Sequence, residues 1–384
     1  MFSSCKTTNG NDYLRKVLGN LEKIESATYY LKGEPIQPGD SIPSFINYNF
    51  IKEYNNPLDS TIGASYVSLD AQDTTKLNFC YDGNVRVLVY HDVKGIVIDD
   101  FTFRPLPFRP LTPPFFNYTK SIIDYALTTT DSIHLDFKDL EDDYYFKLTI
   151  NEDKQVEFFG KAYHVESSYN QIDPTSIYEI WISKSNDLPY KVRREMSHDI
   201  SITTCTNVEL NKISINDFSA YDYFPADYEI REYGPKKSLQ TPKDLVGKKA
   251  TEWTLNDMNE QAISFTDLKS KVLLINFTGI GCGPCHLSIP FLRELKDSFN
   301  NDDFELISIE SWNRKPHSLR IYANRHHINY PFLSANDEVL TDYQTGRTAP
   351  CFFILDEQRI IRKVIFGYGD NTPDEIRTAI SELL

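Results

Sequence analysis

Apolar side chains at Tyr13, Val17, Leu18, Leu21 and Ile24 recur at helical spacing, which predicts an amphipathic helix over residues 12–27. The period then shortens to that of strands. Residues 77–81 and 85–90 flank Asp82, Gly83 and Asn84 and predict a hairpin. Residues 144–150 and 156–165 around 151–154, and residues 178–183 and 190–196 around 184–188, predict two more. The run 200–213 continues the meander. Residues 104–116 are dense in proline, which denies them a central strand and predicts a stiff connector with its aromatics tucked against a sheet.

Beyond residue 246 the pattern changes to alternating strands and helices. Residues 271–277 form a nearly continuous apolar run, the mark of a strand buried on both faces. A turn at 278–281 leads into a helix that starts at Cys282 and carries Phe291, Leu292, Leu295 and Phe299 on one face, with a kink predicted at Pro290. Further strands are predicted at 303–309, 351–355 and 359–366, and further helices at 316–327 and 372–384. Thr372 is the predicted cap of the last helix and Pro373 lies in its first turn. Gly234, Pro235 and Pro242 mark a turn-rich linker. A chain of 384 residues is also too long for one hydrophobic core. The organisation expected is a tether at 1–11, a β-rich domain at 12–232, a linker at 233–246 and an α/β domain at 247–384. The first domain is α+β, a curved antiparallel sheet with a helix.

Composition sharpens this in three places. Aromatics make up 13% of the chain, which favours strand-rich structure. The formal net charge of -15 argues against nucleic acid and against binding anionic lipid through surface charge. Six cysteines in a chain this long do not make a disulfide scaffold, and only Cys282 and Cys285 stand close together. The others are Cys5, Cys80, Cys205 and Cys351, of which Cys80 and Cys205 could pair in an oxidising compartment. Phe2, Ser3, Ser4 and Cys5 resemble the end of a bacterial lipoprotein signal, which implies an upstream start, lipid on Cys5 and a polar tether behind it. The plainer alternative is a ragged terminus with an incidental thiol.

The chemistry concentrates at Cys282-Gly283-Pro284-Cys285. A cysteine at a helix amino terminus feels partial positive charge and unpaired N–H groups, which favour its thiolate. A second cysteine one turn on can attack a mixed disulfide intramolecularly and release the product. Cys282 is therefore the expected nucleophile and Cys285 the resolving thiol, with Gly283 and Pro284 as spacer. Such a pair can also be half of a zinc site, but a second pair is absent and His326 with His327 is a poor complement, so no metal and no cofactor are expected.

The segment from Val246 resembles the TlpA/ResA group of envelope thioredoxins. The residues that carry the likeness are 247–255, 263–271, the strand and active site at 272–285, and Thr348-Ala349-Pro350 with the strands that follow. The resemblance implies a thioredoxin-like α/β fold and a cis peptide before Pro350. It also implies that the Ala349 backbone receives substrate. Three departures stand out. Gly281 replaces the usual aromatic residue before the first cysteine. Asn276 and Ser288 occupy the two positions where relatives hold a carboxylate, and neither can act as a base near neutral pH. His286 is a candidate substitute. The first domain resembles the LolA-like lipoprotein-carrier half-barrel, through its opening helix and meander, residues 178–183, residues 187–193 and Asp227-Tyr228.

These readings imply a thiol–disulfide oxidoreductase of a bacterial envelope, periplasmic and lipid-anchored, with protein disulfide or thiol clients and an upstream thiol protein as electron donor. One alternative is a peroxidase of the AhpC/TSA type, although the Pro-x-x-x-Thr-x-x-Cys spacing of its reactive loop does not precede Cys282. The other is a lipid- or protein-binding lipoprotein in which the redox pair is incidental.

Overall fold

A computed structural model describes residues 10–91, 93–103, 111–234, 245–299 and 302–384. Cys5, most of the linker and the proline-rich stretch up to residue 110 lie outside the described residues. The chain divides into two compact units, one of Met1–Ile36 and Ile42–Pro235, the other of Gln37–Ser41 and Lys236–Leu384.

The amino-terminal unit opens with helix α1 (Gly10–Leu21), two residues earlier than the proposed tether allowed, and it ends well before residue 27. Tyr13, Leu14, Val17 and Leu21 are its buried face. Strands follow as β1 (Ser26–Ile36), β2 (Asn47–Asn55), β3 (Ala64–Asp70), β4 (Leu77–Tyr81), β5 (Arg86–Tyr90) and β6 (Gly95–Asp99). Helix α2 (Phe115–Thr128) then precedes β7 (Ile133–Asp139), β8 (Asp143–Ile150), β9 (Gln155–Phe158), β10 (Ala162–Val165), β11 (Ser176–Ser183), β12 (Leu188–Glu195), β13 (Ile200–Leu210) and β14 (Glu229–Glu232). Twelve strands form one sheet in the order β14-β6-β5-β4-β3-β2-β1-β13-β12-β11-β8-β7. Every pairing is antiparallel except β14 with β6.

Alternation along β11 buries Tyr178, Ile180 and Ile182 on the face that packs with both helices. One predicted hairpin is corrected. β8 pairs with β7 and β11, whereas β9 and β10 pair only with each other. Gly160, at φ +78°, breaks the run 156–165, and the Ile62 backbone would stand 2.3 Å from any Cβ there. Helix α2 was not anticipated, because the proline-rich run hid its start. Cys80 and Cys205 are buried, free and in different core clusters, so they do not pair.

The carboxy-terminal unit holds a hairpin of β15 (Thr254–Asn256) and β16 (Ala262–Ser264), then β17 (Val272–Thr278), α3 (Gly283–Asp297), β18 (Phe304–Glu310), α4 (Pro316–Arg325), β19 (Phe332–Ser334), α5 (Asp337–Asp342), β20 (Cys351–Leu355), β21 (Ile361–Phe366) and α6 (Thr372–Ser381). Its five-stranded sheet runs β19-β18-β17-β20-β21, with β17 to β19 parallel and the last two strands antiparallel. Strand β17 is buried at every residue. Val272 and Leu274 pack with Phe291, Leu292 and Leu295 of α3 and Ile376 and Ile380 of α6. Leu273, Ile275 and Phe277 face Trp253, Phe265 and Tyr343 on the other side. Two helix ends differ from expectation. Helix α3 stops at Asp297, with Phe299 still packed on its cluster, and the cap position of α6 is Asn371. Thr372 is already helical, and its Oγ1 accepts the Gly369 N–H.

Candidate active site

Strand β17 delivers the chain to a turn at Gly279 to Gly281, where Gly281 takes φ +91°, a conformation that excludes most side chains. Cys282 is the residue before the first turn of α3, and Pro284 sits in that turn without the N–H it would otherwise leave unpaired. The Cys285 N–H points at Cys282 Sγ, 3.2 Å away. Cys282 and Cys285 are joined in a disulfide, and both are buried. The first sulfur therefore lies where the helix dipole and an unshared N–H stabilise negative charge.

Helix start and β20 meet across this sulfur. The Ala349–Pro350 peptide is cis, and the Ala349 carbonyl oxygen lies 3.7 Å from Cys282 Sγ. Pro350 is buried and its carbonyl accepts the Gly367 N–H, while Ala349 is half-buried. Cys351 follows at the start of β20, fully buried, with its thiol pushed up to about 12 by burial. That thiol belongs to the core.

Neither position that lost a carboxylate regains one. Asn276 Nδ2 donates to Ser308 Oγ at 2.9 Å, and Ser288 Oγ donates to the Cys285 carbonyl at 2.7 Å. His286 is half-buried, its Nδ1 3.4 Å from Tyr322 Oη, and its ring meets His326 edge to face. Burial, and then the charge of Arg325, holds the His286 pKa below the usual imidazole value. Sequence reasoning missed Glu310. It ends β18, opposite Thr278, and is fully buried. Its Oε1 accepts the Ile280 N–H at 3.4 Å, and its Oε2 accepts those of Trp312 and Arg314 at 3.1 and 3.0 Å. Burial raises its pKa, and the three donors oppose that shift. The only available signal was an acid at the end of a strand, and Glu305 in the same strand shows how weak that signal is.

A mixed five-stranded sheet with a Cys-Gly-Pro-Cys disulfide at a helix start and a cis-proline against it defines a thioredoxin-like thiol–disulfide oxidoreductase domain. Residues 246–364 match the model of the AhpC/TSA family. The domain is of the ResA/TlpA type. Thiol-disulfide oxidoreductase ResA of Bacillus anthracis is 22% identical over 167 residues, which span 43% of this chain and 87% of that protein. ResA of Geobacillus thermodenitrificans is 27% identical over 123 residues, 32% of this chain and 70% of its own. Among solved structures, a thiol:disulfide interchange protein of the thioredoxin family from Chlorobium tepidum is 20% identical, with a TM-score of 0.31, and covers 35% of this chain and 94% of its own. The thioredoxin domain of a thiol-disulfide oxidoreductase from Bacteroides vulgatus is 18% identical with the same TM-score, and covers 35% of this chain and 97% of its own. A peroxidase-type loop would need Pro and Thr where Ile275 and Gly279 stand.

Proposed function

We propose that this protein reduces or exchanges protein disulfides in a bacterial cell envelope, with Cys282 as nucleophile and Cys285 as resolving thiol. The observation that carries the reading is the placement of Cys282 Sγ at the start of α3 and 3.7 Å from the Ala349 carbonyl. In the reduced domain, the Cys282 thiolate attacks one sulfur of a client disulfide and the other client sulfur leaves as thiolate. Cys285 then loses its proton and attacks Cys282 Sγ, which frees the second client thiol and closes the domain disulfide. The client takes two electrons, and an upstream dithiol protein restores them. With Asn276 and Ser288 unable to act as bases, the Cys285 proton goes to water, to the departing client thiolate or to His286. The client backbone lies beside Ala349 and Pro350 as a short extended pairing. The Gly283-Pro284 spacer favours the reducing direction. Lipid attachment at Cys5 belongs to the same reading of location.

Trapping tests it. Cys285→Ser should accumulate mixed disulfides on Cys282 in cells, identified by mass spectrometry of adducts released with reductant. Absence of adducts from a folded variant would remove the exchange reading. A second observation favours a carrier role for the other unit. A cavity of about 290 Å³ is lined by Tyr29, Leu31, Ile51, Tyr66, Phe79 and Arg86, among others. Mass spectrometry of the purified protein for co-purified amphiphile addresses that role separately.

A further inference from the structure

The turn after β18 ties together the two loops that flank the redox pair. Its anchor is Glu310, whose buried carboxylate holds the Ile280 N–H before the first cysteine and the Trp312 and Arg314 N–H groups of its own turn. So fixed, the half-buried Trp312 lays its indole against Gly279. A Cβ built at Gly279 would stand 2.6 Å from Cδ2, 2.7 Å from Cε2 and 2.9 Å from Cε3, so a larger residue there would displace the ring. The Trp312 Nε1–H reaches across to the carbonyl of Arg347 at 2.8 Å. Arg347 lies two residues before Ala349, whose carbonyl faces Cys282 Sγ. One side chain thus bridges the segment that sets the cysteine and the segment that would receive a client backbone.

We propose that Trp312 is a positioning residue for polypeptide substrates, setting the spacing between Cys282 and the Ala349 backbone without touching the exchanging sulfurs. The proposal rests on the exchange reading above. A small disulfide needs only the nucleophile and should be nearly indifferent to this bridge. A polypeptide must also lie along 348–350, so it should feel a shift of that segment.

The test compares insulin, a protein disulfide, with hydroxyethyl disulfide, a small one, each reduced by the full-length protein. Trp312→Phe keeps a ring over Gly279 and removes the Nε1–H bond to Arg347. A lost hydrogen bond of this kind corresponds to about a 3- to 10-fold change. KM for insulin should rise by that factor with kcat little changed, and the ratio of insulin to small-disulfide rates should fall accordingly. Gly279→Ala, which pushes the ring from the other side, should lower the same ratio with Trp312 present. An unchanged ratio in both variants, or equal slowing on both substrates, would overturn the proposal. Cys282→Ser is run alongside. If it still reduces insulin at the wild-type rate, the exchange reading fails and this proposal falls with it. If it is inactive and the ratio is unchanged in both Trp312→Phe and Gly279→Ala, only the Trp312 proposal fails.

Discussion

Helices α2 and α3 begin in similar ways and put their amino termini to different uses. Both expose a first turn of N–H groups and a positive dipole end. At α2 the buried carboxyl of a glutamate fills that end. Pro114 provides no side-chain cap, and Glu53 of β2 supplies it instead. Glu53 Oε1 accepts the Asn117 N–H at 2.7 Å, while Oε2 accepts the Phe116 N–H at 3.1 Å and the Tyr29 hydroxyl at 2.7 Å. Tyr29 Oη in turn accepts the Phe115 N–H at 2.9 Å. At α3 the sulfur of Cys282 takes the equivalent place. A sealed carboxylate makes the end structural, whereas a sulfur that can be a disulfide, a thiol or a thiolate makes it chemical.

Exchanging the atoms at each end should separate these roles. The largest effect is expected from Cys282→Ser. Serine is a good cap, so the α3 start should survive and the unfolding midpoint should barely move from that of the reduced wild type. Disulfide reduction should nevertheless be lost completely. An active serine variant, or one that fails to fold, would break the contrast. In the reduced wild type, Cys282 should also alkylate faster than Cys80, Cys205 and Cys351, whose thiols burial pushes up.

Next comes Glu53→Ala, which leaves the α2 donors and the Tyr29 hydroxyl without their buried acceptor. Orphaned buried groups cost about 1–3 kcal/mol each, and partial relaxation makes a loss of about 3 kcal/mol the expected total. Urea unfolding of the amino-terminal unit should report it, with the Cys282 alkylation rate little affected. Glu53→Gln should cost less, because its amide oxygen still accepts and only one acceptor becomes a donor.

The smallest expected effect is a pair of opposite pH slopes. Burial of Glu53, only partly offset by its hydrogen bonds and by Lys120, raises its folded pKa above the ordinary value near 4.5. The folded state then binds the proton more tightly, so this group's contribution to stability falls as pH rises from that value towards the raised one. The stability advantage of wild type over Glu53→Gln should shrink over that range. His326 behaves in the opposite sense. Burial first, then the neighbouring His286, Arg325 and His327, hold it down at about 4 against an ordinary 6.5. Between those values the unfolded chain binds the proton and the folded one does not, so stability is lost as pH falls from 6.5 to 4. His326→Gln should flatten that slope in chemical denaturation of the carboxy-terminal unit. A slope equally steep in wild type and variant would show that other groups dominate.

The two units also differ in how plainly their sequence speaks. In β17 every residue is buried, and a nearly continuous apolar run announces such a strand without help from elsewhere. The redox pair was equally plain, since spacer, turn and helix face all lie within a score of residues. By contrast, α2 follows a proline-rich run and takes its cap from a strand more than sixty residues away, so no local pattern marks its start. The error at β9 and β10 has a similar origin. The steric demand that keeps Gly160 a glycine comes from Ile62, which is remote in sequence.

The chain's own order of residues determined the thioredoxin-like strands and helices, the vicinal cysteines at a helix start and the uncharged character of Asn276 and Ser288. Those features depend on hydrophobic period, spacing and chemical type, all of which are local. Only the tertiary structure decided the strand order of the twelve-stranded sheet, the separation of Cys80 from Cys205 and the placing of Glu310 and Trp312 between the loops around Cys282. A hydrogen bond or ring contact between distant segments leaves no period in the sequence, because its partners are brought together only when the sheets pack.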